Sequence, residues 1–484
     1  MPQKFRLALA CAASAALTGS LLAAGSAPAG AVPGAGTDRI RADFNKDGYG
    51  DLAISAPLAK VSSKSGAGQV SVVYGTAAGL DTTKRTLINQ ATAGIPGTPE
   101  TGDHFGDRVT TGDLDHDGYT DLIVGVHGER VGSTDDFGAL TVVWGGASGL
   151  GAGTDISSPL PEYRNELGWS VATGDFDGDG TTDLAAANNA SPGLNIFKGP
   201  ISRTGKAAAL TGIDTSDATG INTDRIVTGD VDGDAATDLL VMGQEQTGGG
   251  YRTRSVLYRG GTTLKPAGKV AGGYAATIAD VDKDGFGDIV TGNFMEKSAD
   301  EPNGGPGGAV TVTYGSATGL STRTPVRVTQ DTAGVPGAAE KGDAFGWSLS
   351  AGDTNGDGYA DIAVGAATET LGSAKKAGSV VVLRGSAGGL TGTGAKAFSQ
   401  DTPGVPGAAE ATDCFGAAVE LTDADGDGRA ELVAGAYAEN DGAGAVWLFK
   451  STSSGVTATG SKSVSGPGLG GPSGTSYFGG VLQG

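Results

Sequence analysis

One acidic nonapeptide occurs seven times along the 484 residues, and it limits the possible architectures more than any other feature. Its first two copies read Asp43-Phe-Asn45-Lys-Asp47-Gly48-Tyr49-Gly-Asp51 and Asp113-Leu-Asp115-His-Asp117-Gly118-Tyr119-Thr-Asp121. The others begin at Asp175, Asp230, Asp280, Asp353 and Asp423, and successive copies start 50 to 73 residues apart. Repeats of this order mark a solenoid, a propeller or an array, because one unit cannot bury its apolar faces without its neighbours.

Other features keep the same phase. Eight residues before a loop stands Phe105-Gly106, Leu167-Gly168, Phe345-Gly346 or Phe415-Gly416. A short apolar run follows the loop, as at Leu52–Pro57, Leu122–Val126 and Ile362–Ala366. Then comes an alternating segment, Gly68–Gly75, matched at Gly138–Gly145, Gly308–Gly315 and Gly378–Gly385. A Gly-Leu turn and a last segment complete the unit, and three units close on Gly94-Ile-Pro-Gly97, Gly334-Val-Pro-Gly337 or Gly404-Val-Pro-Gly407. Period-two alternation between Gly and Pro turns predicts short strands, about four per repeat and antiparallel. The 88 glycines fit turns in register, and an aromatic content of only 6% fits poorly with a helical core.

The expected fold is therefore all-β, a seven-bladed β-propeller of four-stranded blades, in which radial closure leaves only short, protected edges. The C-terminus predicts how the ring closes. Tyr477-Phe478-Gly479-Gly480-Val481 is an eighth Phe-Gly strand with no acidic loop after it, and the loop at Asp43 is the one without a Phe-Gly before it. The two ends of the chain are expected to share one blade.

In the nonapeptide, positions 1, 3, 5 and 9 supply side-chain oxygens, position 7 a backbone carbonyl, and position 6 the glycine of a sharp turn. Six or more hard oxygens on a flexible loop suit Ca²⁺ better than Mg²⁺, which demands a tight octahedron and keeps its waters. The candidate ligands are Asp43, Asn45, Asp47, Tyr49 and Asp51, then Asp113, Asp115, Asp117, Tyr119 and Asp121. The third and fourth loops offer Asp175, Asp177, Asp179, Thr181 and Asp183, and Asp230, Asp232, Asp234, Ala236 and Asp238. The fifth and sixth offer Asp280, Asp282, Asp284, Phe286 and Asp288, and Asp353, Asn355, Asp357, Tyr359 and Asp361. The seventh offers Asp423, Asp425, Asp427, Arg429 and Glu431. An Asx-turn that merely bends the chain is the competing reading of a single loop, but seven in register would each leave a cluster of repelling carboxylates. An EF-hand does not fit, because its position 12 needs a bidentate Glu and Ile54 stands there. Asn45 and Asn355 weaken the charge of two loops, Glu431 lengthens one arm, and Ala235 replaces the position-6 Gly. The Asp230 loop is accordingly the weakest candidate.

Residues 1–31 read as a secretory signal: Lys4 and Arg6, an Ala-rich apolar run, and Ala29-Gly30-Ala31 before cleavage. The propeller is assigned to 32–484, and a secreted, extracellular location follows. No later segment reaches the length needed to span a bilayer. With Cys11 in the leader, Cys414 is alone and no internal disulfide forms. The net charge of −21 argues against nucleic acid and against anionic membrane surfaces, and it points to solubility or to bound cations. The loop positions account for 26 of the 54 acidic side chains.

The Phe-Gly strand, the Asp-x-Asp-x-Asp-Gly-x-x-Asp loop and the Ser55-Ala56-Pro57 or Gly365-Ala366 run resemble the FG-GAP repeats of the integrin α-subunit propeller. The resemblance covers residues 36–484, and bacterial exported FG-GAP proteins, a VCBS-like group, are similar too. It implies a seven-bladed propeller with Ca²⁺, up to seven ions, in hairpin loops on one face. It also implies an adhesion or macromolecule-binding role toward an extracellular protein or polysaccharide. The chain has no Asp-x-Ser-x-Ser adhesion motif, so integrin signalling does not transfer.

Two other function classes stay open, a carbohydrate-binding lectin-like propeller and a hydrolase related to glycosylphosphatidylinositol-specific phospholipase D, which has a similar FG-GAP propeller. That enzyme's catalytic part is a separate N-terminal domain. The three histidines, His104, His116 and His127, all fall in repeat 2, and no Gly-x-Ser-x-Gly elbow occurs. The sequence therefore predicts a non-catalytic binding module. Lys341-Gly-Asp343 reads as a structural turn, Tyr74, Trp144 and Tyr314 as blade packing, and Cys414 as unreactive. Trp169 and Trp347 share a position near the innermost strand, where exposure would favour a ligand.

Overall fold

A computed structural model describes residues 42–130, 138–156, 166–188, 193–247 and 250–484. The expected signal at 1–31 lies outside them. Among the described residues twenty-eight strands form seven four-stranded antiparallel sheets. Blade 2 runs Arg108–Gly112, Asp121–Val126, Ala139–Val143, Gly153–Ile156 from the innermost strand outward. Blade 3 begins with Ser170–Gly174, blade 4 with Ile221–Gly229, blade 5 with Ala275–Ala279, blade 6 with Phe345–Gly352 and blade 7 with Ala418–Thr422.

Blade 1 is shared by the two ends, as the motif phase requires. Leu52–Ala56, Gln69–Tyr74 and Asp81–Ile88 come from the start of the chain, and Leu482–Gln483 from its end. Leu482 pairs with Ile54, the Ser55 N–H donates to the Val481 carbonyl at 3.0 Å, and the Gly479 N–H donates to the Ser55 carbonyl at 2.9 Å. The short strand at 482–483 contacts the innermost strands of blades 7 and 2, so the ring of inner strands is complete.

The core lies between blades. Seven apolar layers each join two neighbours: one packs Val124 and Val143 of blade 2 on Val70 and Val72 of blade 1, another packs Ile362 and Val364 on Val290 and Val312. Second strands are covered on both faces, so Leu52–Ala56 and Asp361–Ala366 are buried throughout and read as continuous apolar runs. The outermost strand of blade 1, Asp81–Ile88, is largely open to water and mostly polar.

The Phe-Gly pairs are the staples between blades. Phe105, Phe345, Phe415 and Phe478 are fully buried. Phe105 makes a parallel bridge to Gly68 of the preceding blade, and Leu167, Phe345 and Phe415 do the same with Gly138, Gly308 and Gly378. A Cβ on Gly68 would sit 2.3 Å from the Phe105 backbone, so the approach requires glycine. The Gly-x-Pro-Gly connectors bury Ile95, Val335 and Val405 in three of the inter-blade layers.

Among the described residues no helix is long and apolar enough to cross a membrane.

Candidate metal centres

The seven acidic loops precede the second strand of each blade and meet in a ring at one end of the propeller. At six junctions the position-1 carbonyl accepts the position-8 N–H of the next loop, as from Thr120 to Asp43 (3.3 Å), Thr237 to Asp175 (2.6 Å) and Ala430 to Asp353 (2.7 Å). Gly50 donates to Asp423 at 3.2 Å and links the last loop to the first.

Inside each loop the backbone wraps around carboxylates. The Asp113 Oδ1 and Oδ2 accept the N–H groups of Asp117 (3.0 Å) and Gly118 (2.9 Å). Asp43, Asp175 and Asp280 repeat this with residues four and five ahead. Position 5 accepts the N–H of position 7 in every loop, at 3.0–3.1 Å for Asp47, Asp117, Asp179, Asp234, Asp284, Asp357 and Asp427. The donors are Tyr49, Tyr119, Thr181, Ala236, Phe286, Tyr359 and Arg429.

Position 9 is the deepest. Asp51, Asp121, Asp183, Asp238, Asp288 and Asp361 are buried at the start of the second strand. One oxygen accepts the position-2 N–H and the other the N–H that ends the third strand. For Asp121 these are Leu114 at 2.9 Å and Gly145 at 2.8 Å. Burial in low dielectric, against those hydrogen bonds, raises Asp51, Asp121, Asp238 and Asp288 to about 7, Asp183 to about 6 and Glu431 to about 8. Neighbouring loop carboxylates push in the same direction.

Three carboxylates offer oxygens within 4.8 Å of one another in five loops: Asp113, Asp115, Asp121; Asp175, Asp177, Asp183; Asp230, Asp232, Asp234; Asp280, Asp282, Asp288; and Asp423, Asp425, Glu431. At position 3 of four of these, the Oδ1 atoms of Asp115, Asp177, Asp232 and Asp282 are buried without a hydrogen-bond partner. A buried, orphaned anionic oxygen is costly, and a hard cation is the partner this donor set fits. Asn45 and Asn355 behave differently. Each accepts the position-5 N–H and turns its amide onto the position-5 carboxylate, at 3.0 Å to Asp47 and 2.8 Å to Asp357.

Position 6 is left-handed throughout, and Ala235 adopts it at φ +70°. The sequence reading missed that position 4 is left-handed as well, in Lys46, His116, Gly178, Gly233, Lys283, Gly356 and Gly426. Glycine at four of the seven copies was the available signal.

It also missed the cations that serve six loops. The blade position held by Tyr74, Trp144 and Tyr314 carries Lys198, Arg259, Arg384 and Lys450 in the other blades. Lys198 bridges Asp177 and Asp179, Arg259 bridges Asp232 and Asp234, and Arg384 Nη1 reaches buried Asp361 at 2.5 Å. Where the position is aromatic, an arginine lies over the ring and extends to the loop. Arg203 covers Trp144 and holds Asp115 and Asp117, and Arg323 covers Tyr314 and holds Asp282. Arg429 pairs within its own loop with Asp427. Repulsion is thus partly relieved without metal, and Arg384 makes the Asp353 loop a second weak candidate beside the Asp230 loop.

The smaller features resolve simply. Tyr74, Trp144 and Tyr314 are buried packing residues. Asp343 is buried and accepts the Glu340 N–H at 2.6 Å, a structural turn. Cys414 is buried, and desolvation raises its thiol pKa. The His104 and His127 rings, both partly exposed, stack at 5.2 Å.

Comparison with known proteins agrees with the repeat pattern. The FG-GAP repeat matches residues 42–73, 345–383 and 415–449, and the FG-GAP-like repeat matches 113–186. The chain carries FG-GAP repeats. Integrin alpha-PS2 of Drosophila melanogaster is 32% identical over 254 residues, 46% of this chain and 17% of that protein. Phosphatidylinositol-glycan-specific phospholipase D of Rattus norvegicus is 31% identical over 153 residues, 31% of this chain and 18% of the enzyme. The bovine enzyme is 32% identical over 162 residues, 33% of this chain and 19% of its own. The FG-GAP chain thus spans about a fifth of the length of the curated relatives it matches. A solved structure, the Pseudomonas aeruginosa periplasmic gluconolactonase PpgL, is similar over 86% of this chain and 96% of its own, at 13% identity and a TM-score of 0.44.

The relatives correct one expectation. The sequence predicts a non-catalytic module, but four of the matched proteins are, by name, phospholipases D. That prediction rested on missing nucleophile motifs, and kinship to named enzymes overturns it.

Proposed function

We propose that this chain is an exported calcium-binding FG-GAP propeller that holds an extracellular protein or polysaccharide on a rigid face. The observation that carries the calcium reading is the orphaned position-3 oxygen of Asp115, Asp177, Asp232 and Asp282, buried beside two further carboxylates. Ca²⁺ would bind the loop oxygens, neutralise carboxylates that burial otherwise protonates, and stiffen the ring where loops join blade to blade. Binding of the folded state alone makes the ion a folding contribution. The adhesive part rests on likeness to an integrin α-subunit and on fold-level analogy.

The test is thermal unfolding of the mature chain in EGTA, in Ca²⁺ and in Mg²⁺. Calcium should raise the melting temperature substantially and Mg²⁺ should not. Identical melts in EGTA and Ca²⁺ would sink the metal reading. Capture of cell-wall and matrix polymers then tests the binding role separately.

A further inference from the structure

Three of the seven repeats share a second polar pattern, separate from the acidic loops. Gln90, Gln330 and Gln400 each stand 13 residues before an aspartate, Asp103, Asp343 or Asp413, and 39 before a glutamate, Glu129, Glu369 or Glu439. These are the units that close on a Gly-x-Pro-Gly connector. The glutamine follows the outermost strand of one blade and the aspartate precedes the innermost strand of the next. The glutamate lies three residues past that blade's second strand, after Val126, Ala366 or Ala436. The acidic loops come before the second strand, so this pattern sits at its other end, about 15–20 Å away at strand spacing.

The fold gathers these side chains at the junctions of blades 1 and 2, 5 and 6, and 6 and 7. Gln90 Nε2 donates to Glu129 at 2.6 Å, Gln330 to Glu369 at 2.6 Å and Gln400 to Glu439 at 2.7 Å. At the last junction the Asp413 carboxyl lies within hydrogen-bonding reach of both Gln400 and Glu439. At the other two, Asp103 and Asp343 are close enough to Glu129 and Glu369 to repel them. The connector closes over the amide, since a Cβ on Gly97 would meet Gln90 Nε2 at 2.5 Å. The three glutamines are only 2–7% exposed and the three aspartates 1–3%, while the glutamates stay partly open to water.

Acceptor oxygens outnumber donors here. Oε1 of Gln90, Gln330 and Gln400 is buried without a hydrogen-bond partner. Arg130 attracts Asp103 at the first junction. Among the described residues no basic side chain comes within ion-pair distance of Glu129, Asp343, Glu369, Asp413 or Glu439. Desolvation raises Glu129 and Glu369 to about 7 and lifts Asp103, Asp343, Asp413 and Glu439 above their ordinary values, the direction expected of anions short of positive partners. Two carboxyl groups in contact are held together by a shared proton or by a cation. One proton between Asp413 and Glu439 leaves the Gln400 oxygen orphaned, which is costly in a buried site. A cation takes oxygens from all three side chains at once.

We infer that each of these junctions is a second class of Ca²⁺ site, built from the glutamine Oε1 and the two carboxylates, that pins the connector of one blade to the turn of the next. The donors are all hard oxygens, and two negative charges match a divalent ion. The glutamate side admits water to complete the shell, but the enclosed glutamine and aspartate leave little room for the several waters that Mg²⁺ keeps. With three protein side chains each, the sites should bind Ca²⁺ at about 10⁻⁴–10⁻³ M, the range of extracellular modules. Arg130 makes the first junction the weakest. The inference does not depend on calcium in the acidic loops.

The experiment is anomalous diffraction from crystals of the full chain in excess CaCl₂, with calcium counted in solution by equilibrium dialysis. A peak is expected about 2.3–2.6 Å from Gln330 Oε1 and from carboxylate oxygens of Asp343 and Glu369, and another among Gln400, Asp413 and Glu439. Glu369→Gln and Glu439→Gln should each weaken their own site about tenfold or more, and together they should remove two ions from the count at saturation. Asp113→Asn, which alters an acidic loop, should leave the junction peaks in place. Water or no density at the junctions in excess CaCl₂, or an unchanged count in the double variant, overturns the proposal. Filled junctions beside empty loops would sink the loop reading and leave this one standing, and filled loops beside empty junctions would sink this one alone.

Discussion

Arg203 Nε lies 2.5 Å from Asp115 Oδ2, and its Nη2 lies 2.6 Å from Asp117 Oδ2. The arginine belongs to the outer hairpin of blade 3 and the aspartates to the acidic loop of blade 2, so one blade supplies the counter-charge of its neighbour. A guanidinium and a calcium ion compete for the same two carboxylates. Arg203→Gln should therefore act in opposite senses. In EGTA it should lower stability slightly, by less than about 1 kcal/mol because the pair is half-exposed. In calcium titrations it should tighten the Asp113 loop several-fold. An unchanged calcium affinity would show that the arginine and the ion do not share the site.

Ala235 holds a left-handed conformation, φ +70°, that the other six loops give to glycine. A Cβ in that region costs about 1–2 kcal/mol, and glycine's greater freedom when unfolded returns about half of this. Ala235→Gly should stabilise the chain by about 0.5–1 kcal/mol and improve calcium binding by the Asp230 loop. Gly180→Ala supplies the converse, since φ is +87° and an added Cβ meets nothing within 4 Å. It should destabilise through the backbone alone. Equal and neutral effects in urea unfolding would count against the strain argument.

The blades were legible in the sequence because they are short-range. A strand covered on both faces shows itself as an unbroken apolar run, as at Leu122–Val126, and a tight approach shows itself as a glycine, as at Gly68. Ring closure was legible too, because Phe478 repeats the Phe-Gly phase. The cations at the loops were not, because Arg203 and Asp115 lie 88 residues apart and meet only through the angle between blades. Trp169 and Trp347 share a phase that the sequence shows, but the rings they meet, His127 and Phe294, come from other parts of the chain.

Position-9 carboxylates give the pH dependence a sign. Asp51, Asp121, Asp238 and Asp288 titrate near 3.8 when unfolded but near 7 in the folded chain without metal. Between roughly pH 4 and 7 the folded state then binds more protons than the unfolded one, so stability falls as pH rises through that window. Calcium reverses this, because it binds the ionised form and is released as those groups take up protons. Melting temperature in EGTA should thus be higher at about pH 5 than at about pH 7.5, and in saturating calcium the order should invert. The same order in both buffers would mean that these carboxylates do not sense the ion.

Phe478 tests whether the ring is closed by packing or merely by proximity. It is fully buried, and its layer joins Leu52 and Ile54 of blade 1 to Val433 and Val446 of blade 7. Phe345 fills the equivalent slot between blades 5 and 6, against Val310 and Val312. In a chain whose last strand were only a loose cap, truncating Phe478 would cost little. In a closed ring the two phenylalanines do the same job, and each replacement by alanine should cost about 3–5 kcal/mol from lost transfer energy and the cavity left behind. Urea unfolding of Phe478→Ala and Phe345→Ala compares them directly. A Phe478→Ala protein within about 1 kcal/mol of wild type would refute closure by packing, since no buried phenylalanine between two blades is so cheaply removed.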